Sequence, residues 1–190
     1  MHIRKIAALM LAAVSALIIF TGCSSYTPGK VKDGVYRNSY FTVTTPEGFA
    51  CFTGKQVENV SCYIVEYANS TARGAQKSFN CEYAAKNAAT EILVISEDNV
   101  GGRSMDDFTS VLTSQSNTIF FTAEVKENKD IVIDGMTFRH LKLSLGGTGV
   151  YKEYFIRQQG TKNVYICIEY IDNIIIDNSD KALSSISASV

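Results

Sequence analysis

The sequence predicts an α+β fold in which an antiparallel sheet of about six or seven strands is flanked by about three helices. Three observations carry this. After Thr118 the chain runs as period-two apolar segments separated by turn-forming residues, the pattern of an antiparallel meander. Two stretches combine an N-capping side chain with apolar residues at helical spacing. The alternation of strand, helix and strand that builds a parallel sheet is missing.

The domain is expected to occupy residues 35–190, because what precedes it reads as an address and a tether. Arg4 and Lys5 lead into an apolar run over residues 6–20, and Phe20-Thr21-Gly22 runs directly into Cys23. A basic start, a short apolar stretch and small residues before a cut define a secretory signal. The run has 15 residues, fewer than the roughly 20 that a membrane-spanning helix requires. Phe20-Thr21-Gly22-Cys23 resembles the bacterial lipoprotein signal, with Phe20 where leucine is commoner. That resemblance implies that residues 1–22 are removed, that the cut falls between Gly22 and Cys23, and that Cys23 becomes the lipidated first residue. Residues 23–34 are polar and small and read as a flexible tether.

Residues 36–45 are rich in Tyr, Phe, Val and Thr and predict a strand pair or a bent strand, closed by Thr45-Pro46-Glu47-Gly48. Thr53 with Gln56 forms a capping box for a short helix carrying Val57 and Val60. Residues 62–67 fit either a continuation of that helix or a strand, and residues 68–78 a loop. Phe79, Cys81, Tyr83 and Ala85 share one face of a period-two strand, which directs Cys81 into the core. After a turn at Asn87, residues 90–96 are apolar on both faces and predict a covered central strand. Ser104 and Asp107 cap a second helix bearing Met105, Phe108, Val111 and Leu112.

The meander then comprises residues 119–127, 131–133, 136–145, 150–158 and 164–171. Asp134-Gly135 predicts a type I′ hairpin, whose two central residues need positive φ. Ser179 is placed to cap a last helix through Ala182, Leu183 and Ile186.

The chain has 190 residues, with 18 Lys and Arg against 19 Asp and Glu. Loss of Arg4 and Lys5 with the signal leaves a slightly acidic mature chain without a cluster of basic residues. Neither a nucleic-acid surface nor a polybasic lipid-binding surface is expected. His2 also leaves with the signal, so His140 is the single histidine, which rules out zinc sites built on two or three of them. Cys51, Cys62, Cys81 and Cys167 remain besides Cys23, an even number in a compartment where disulfides persist. Four cysteines allow three connectivities, and disulfides and buried thiols both stay open. No CxxC spacing occurs.

Gly146-Gly147-Thr148-Gly149 lacks the spacing and the following helix of a phosphate loop and fits a hairpin turn. Gly101-Gly102-Arg103-Ser104 precedes a helix start, where amides attract anions, but serves equally as the lead-in to an N-cap. Asp106-Asp107 and Asp177-Asn178-Ser179-Asp180 suit the positive ends of helices. In residues 136–145 the apolar phase changes between Met136/Phe138 and Leu141/Leu143/Leu145, which predicts a bulge at Arg139-His140. A catalytic histidine needs a nucleophile and an orienting carboxylate, and no nucleophile motif accompanies His140. No catalytic, metal or cofactor-binding set emerges.

Gly34-Val35-Tyr36-Arg37-Asn38, Tyr40-Phe41 and Thr45-Pro46-Glu47-Gly48-Phe49 resemble the opening of small cell-surface lipoproteins of clostridia and their relatives, several of which share the PsbP-like fold. Phe49 stands where that group has tryptophan. Thr90, Ser104, Ile133-Asp134-Gly135 and Tyr154-Phe155-Ile156 follow in the same order. The resemblance implies an antiparallel sheet flanked by helices and no activity. Photosynthetic members of the fold are assembly and ion-retention subunits, and none of their functional residues carries over to positions here. The sequence is therefore expected to encode a lipid-anchored protein on the extracytoplasmic face of a bacterial membrane. Its domain would be a non-catalytic module that binds an envelope protein or a small ligand. The alternative is an extracytoplasmic hydrolase using a carboxylate pair or His140.

Overall fold

The computed structural model describes residues 26–52, 56–57, 79–99, 101–117, 120–171 and 183–189. In chain order the strands are Lys30–Lys32 (β1), Val35–Arg37 (β2), Phe41–Thr44 (β3), Ala50–Phe52 (β4), Phe79–Lys86 (β5), Thr90–Asp98 (β6), Ala123–Ile133 (β7), Met136–Leu145 (β8), Val150–Gln159 (β9), Lys162–Ile171 (β10) and Ile186–Ala188 (β11). One helix, Met105–Gln115 (α1), lies between β6 and β7. The strands make two antiparallel sheets, four strands in the order β1-β2-β3-β11 and seven in the order β4-β5-β6-β10-β9-β8-β7.

The large sheet is covered on both faces, which is why its central strands are apolar on both sides. One face packs Tyr83, Ile92, Val94, Phe138, Phe155 and Ile166 against Tyr36, Phe41, Val43 and Ile186 of the small sheet. The other packs Leu93, Ile95, Leu141, Leu143, Ile156 and Tyr165 against Phe108 and Leu112 of α1. Phe41 and Phe138, with ring centroids 6.0 Å apart, join the two sheets, while Phe108 and Tyr165, 5.7 Å apart, join helix to sheet.

The Ser104 hydroxyl accepts from the Asp107 amide and donates to its carboxylate, so α1 starts where its capping sequence places it. Asp134 and Gly135 have φ of 49° and 75°, the conformation of the expected hairpin. Asn87 closes its turn by accepting from the Ala89 and Thr90 amides.

Several expectations are corrected. The antiparallel strands divide between two sheets instead of one. Among the described residues α1 is the single complete helix where about three were expected; Thr53 and Ser179 lie outside those residues, as do residues 62–67 and 68–78. Ile186 belongs to β11, not to a last helix, because the free edge of β3 pairs with it. The stretch taken for a tether supplies β1: Asp33 and Gly34, with φ of 52° and 74°, turn the chain into β2. The bulge expected at Arg139-His140 is absent, and the register shift lies in the partner strand β7, between Val125 and Glu127, which face Leu143 and Lys142. The phase of β8 changes because its Met136/Phe138 end is covered by the small sheet and its Leu141–Leu145 end by the helix side.

Candidate functional site

Three polar constellations interrupt the apolar layers. The first is made by a bulge. In β5 Cys81 faces Ile95 and Tyr83 faces Val94, which leaves Glu82 as the extra residue and turns Cys81 to the opposite face from Tyr83. Cys81 therefore packs with the α1 cluster, against the expectation that it shares a face with Tyr83 and Ala85. The Glu82 carboxyl meets four donors. Its Oε1 accepts from the Tyr26 hydroxyl at 2.6 Å and from the Ser96 hydroxyl. Its Oε2 accepts from the Gly29 amide at 2.6 Å and from the Tyr36 hydroxyl at 2.7 Å. Burial, together with the carboxylate alongside, pushes the Tyr26 and Tyr36 phenols up beyond their ordinary range. Gly29 is required by close approach, since a Cβ there would lie 2.3 Å from the Tyr36 ring.

The second constellation lies across β8, β9 and β10. The Glu153 side chain is only 7% exposed. Its Oε2 lies 2.8 Å from His140 Nε2, and its Oε1 accepts from the Tyr170 hydroxyl at 2.6 Å and from Lys142 Nζ at 3.0 Å. Burial opposes its ionisation, but the hydrogen bonds from His140, Tyr170 and Lys142 outweigh that and hold the carboxyl at about 2. Burial also opposes the charge on Lys142, yet Tyr170 and Glu153 raise it above its ordinary value. The Lys142 ammonium sits over the rings of Tyr151 and Tyr170, 5.4 and 5.7 Å from their centroids. The His140 ring stacks on Phe155 at 4.8 Å, and its Nδ1 lies 3.4 Å from Glu127. Both ring nitrogens thus face carboxylates, Nε2 at hydrogen-bond distance from Glu153 and Nδ1 at a longer ion-pair distance from Glu127. The imidazole fills the space between Glu127 and Glu153.

The third is at the start of α1. Glu97, 5% exposed, meets Asn163 Nδ2 at 3.4 Å, and Gln158 spans from Asn163 to the Arg103 carbonyl. Burial pushes the Glu97 carboxyl up to about 7, against the opposing hydrogen bond from Asn163. Arg103 thus tethers the loop through its carbonyl, and the first turn of the helix is occupied by its own Asp106 and Asp107. Arg139 donates to Asp106 and Asp130 at 2.7 Å each, tying that turn to β7 and β8.

Gly22, Cys23 and Cys62 lie outside the described residues. Cys51 pairs in register with Ala85, Cys81 with Ile95, and Cys167 with Leu93 and Tyr154, so no two of these three cysteines are cross-strand neighbours. Burial pushes the Cys167 thiol up to about 12, the environment of an inert buried thiol. Among the described residues no three His, Cys, Asp or Glu side chains are grouped to hold a metal ion. Glu153 carried a signal in the sequence, as a lone carboxylate between Tyr151 and Phe155 on one face of a strand. Glu82 carried none, because its direction depends on the bulge.

The fold of this chain, antiparallel sheets with a helix against the larger one, is PsbP-like. The solution structure of cyanobacterial PsbP (CyanoP) from Synechocystis sp. PCC 6803 is similar, with a TM-score of 0.51 and 12% identity over 88% of this chain and 95% of that one. At that identity the likeness shows the fold alone. No protein-family model matches the sequence, and no curated protein matches it.

Proposed function

We propose that the chain is a lipoprotein on the extracytoplasmic face of a bacterial membrane, held by acylated Cys23, and that its PsbP-like domain is a non-catalytic interaction module. The observation that carries this reading is the Glu82 cluster. It takes up Tyr26 and Gly29, so the fold includes a residue only three positions after the cysteine that the signal offers for acylation. An anchor so close to the domain suits a module that works at the membrane surface. The resemblance to clostridial-type cell-surface lipoproteins points the same way, and an envelope protein or small ligand is the partner class it suggests. The hydrolase alternative gains no support from His140, whose two ring nitrogens face the Glu153 and Glu127 carboxylates and no serine or cysteine among the described residues.

Two acyl chains hold a protein on a bilayer where one is marginal. The wild-type protein is therefore expected in the membrane fraction of expressing cells, labelled by a fatty-acid analogue, and the Cys23→Ser variant is expected to lose the label. Equal labelling of both proteins would exclude Cys23 as the anchor.

A further inference from the structure

We propose that the outer face of β1 and β2 is a contact surface for anionic phospholipid headgroups. The register pairs Lys30 with Arg37 and Lys32 with Val35, so these four side chains share one face, while Val31 and Tyr36 point into the core. Lys30, Lys32 and Arg37 are exposed, and among the described residues none has an ion-pair partner within 4 Å. In sequence they are separated by Val31 and by Asp33-Gly34-Val35-Tyr36 and do not read as a basic cluster; the hairpin makes them one. They line an open groove of about 790 Å³ together with Thr27 and Pro28, with Asp33 its one acidic residue among the described residues.

Thr27 and Pro28 connect this groove to the anchor, and here the inference rests on the acylation of Cys23 proposed above. Tyr26 is fixed by Glu82, and the three residues from Cys23 to Tyr26 span at most ~11 Å even when fully extended. The groove is thus held about one screening length from the headgroups, near enough for its charges to act on an anionic surface. A flexible tether of a dozen residues would leave the orientation of the domain free. The docked segment together with the basic hairpin selects one face.

The processed full-length product, purified in detergent, is added to preformed vesicles of phosphatidylglycerol or of phosphatidylcholine. Lysines are then modified with a membrane-impermeant acylating reagent and read by peptide mass spectrometry. Lys30 and Lys32 should be protected in phosphatidylglycerol over phosphatidylcholine by at least about fivefold, the factor one basic residue near an anionic surface is worth. Lys126, exposed on β7, should react equally in both. High salt and the Arg37→Glu variant should each reduce the protection. Equal labelling of Lys30 and Lys32 in the two lipids overturns the proposal and leaves them as solvated residues guarding an edge strand. The N-terminal peptide of the same digest reports acylation separately. An acylated Cys23 with unprotected lysines rejects the face alone, an unmodified terminus with protected lysines rejects the anchor alone, and an unmodified terminus with unprotected lysines rejects both.

Discussion

Replacing Glu82 with alanine is expected to destabilise the domain by about 3–5 kcal/mol, because it strands donors that have no other acceptor of comparable quality. Two of the four, the Tyr36 and Ser96 hydroxyls, belong to residues that are themselves buried. The Gly29 amide is held against the Tyr36 ring, so it cannot turn to water without moving that ring. Glu82→Gln keeps a single good acceptor oxygen and should cost roughly half as much. Chemical denaturation at neutral pH measures both. A loss under about 1 kcal/mol for the alanine variant would mean that the cluster is solvated and easily replaced.

Glu153→Ala is expected to cost a similar amount, about 3–5 kcal/mol, since it leaves the Lys142 ammonium without its carboxylate in a partly buried site. The same residue sets an acid limit on the fold. Its folded value of about 2 lies below the ordinary carboxylate value of 4.5, so the folded state binds its proton less readily than the unfolded chain. The stability this contributes is fully present above about pH 4.5 and is lost as pH falls toward 2, a total of about 3 kcal/mol. Wild type should therefore weaken steeply over that range, and Glu153→Ala should weaken less. Parallel stability profiles for the two proteins between pH 5 and pH 2 would show that Glu153 is not the group responsible.

The parts of the fold that were legible in the sequence are those set by local chemistry. Ser104 with Asp107, Asp134-Gly135 and Asn87 each fix their own turn or cap through atoms within four residues, and each is found where it was expected. Asp33-Gly34 carries the same turn signature as Asp134-Gly135. Its segment nevertheless reads as a tether, because residues 23–34 are polar and small apart from Tyr26 and Val31, and the bonds that Tyr26 and Gly29 make to the distant Glu82 leave no local pattern. The phase change in β8 was visible, but its cause was not, since a strand covered from opposite sides at its two ends looks in sequence like a bulged one. Glu82, Glu153 and Glu97 share this difficulty. Each acquires its partners from residues 11 to 66 positions away, and no local pattern names those partners.

Whether the segment following Cys23 is part of the folded domain decides both the anchoring geometry and the orientation of the basic hairpin. The exchange rate of the Gly29 amide measures this most directly. An amide bonded to Glu82 beneath the Tyr36 ring should be protected about as strongly as those of the central strand β10. It should also lose that protection in Glu82→Ala while β10 keeps its own. Exchange of Gly29 at the rate of an unstructured chain in the wild-type protein would contradict the account, and residues 23–34 would then be the free tether that their composition suggests.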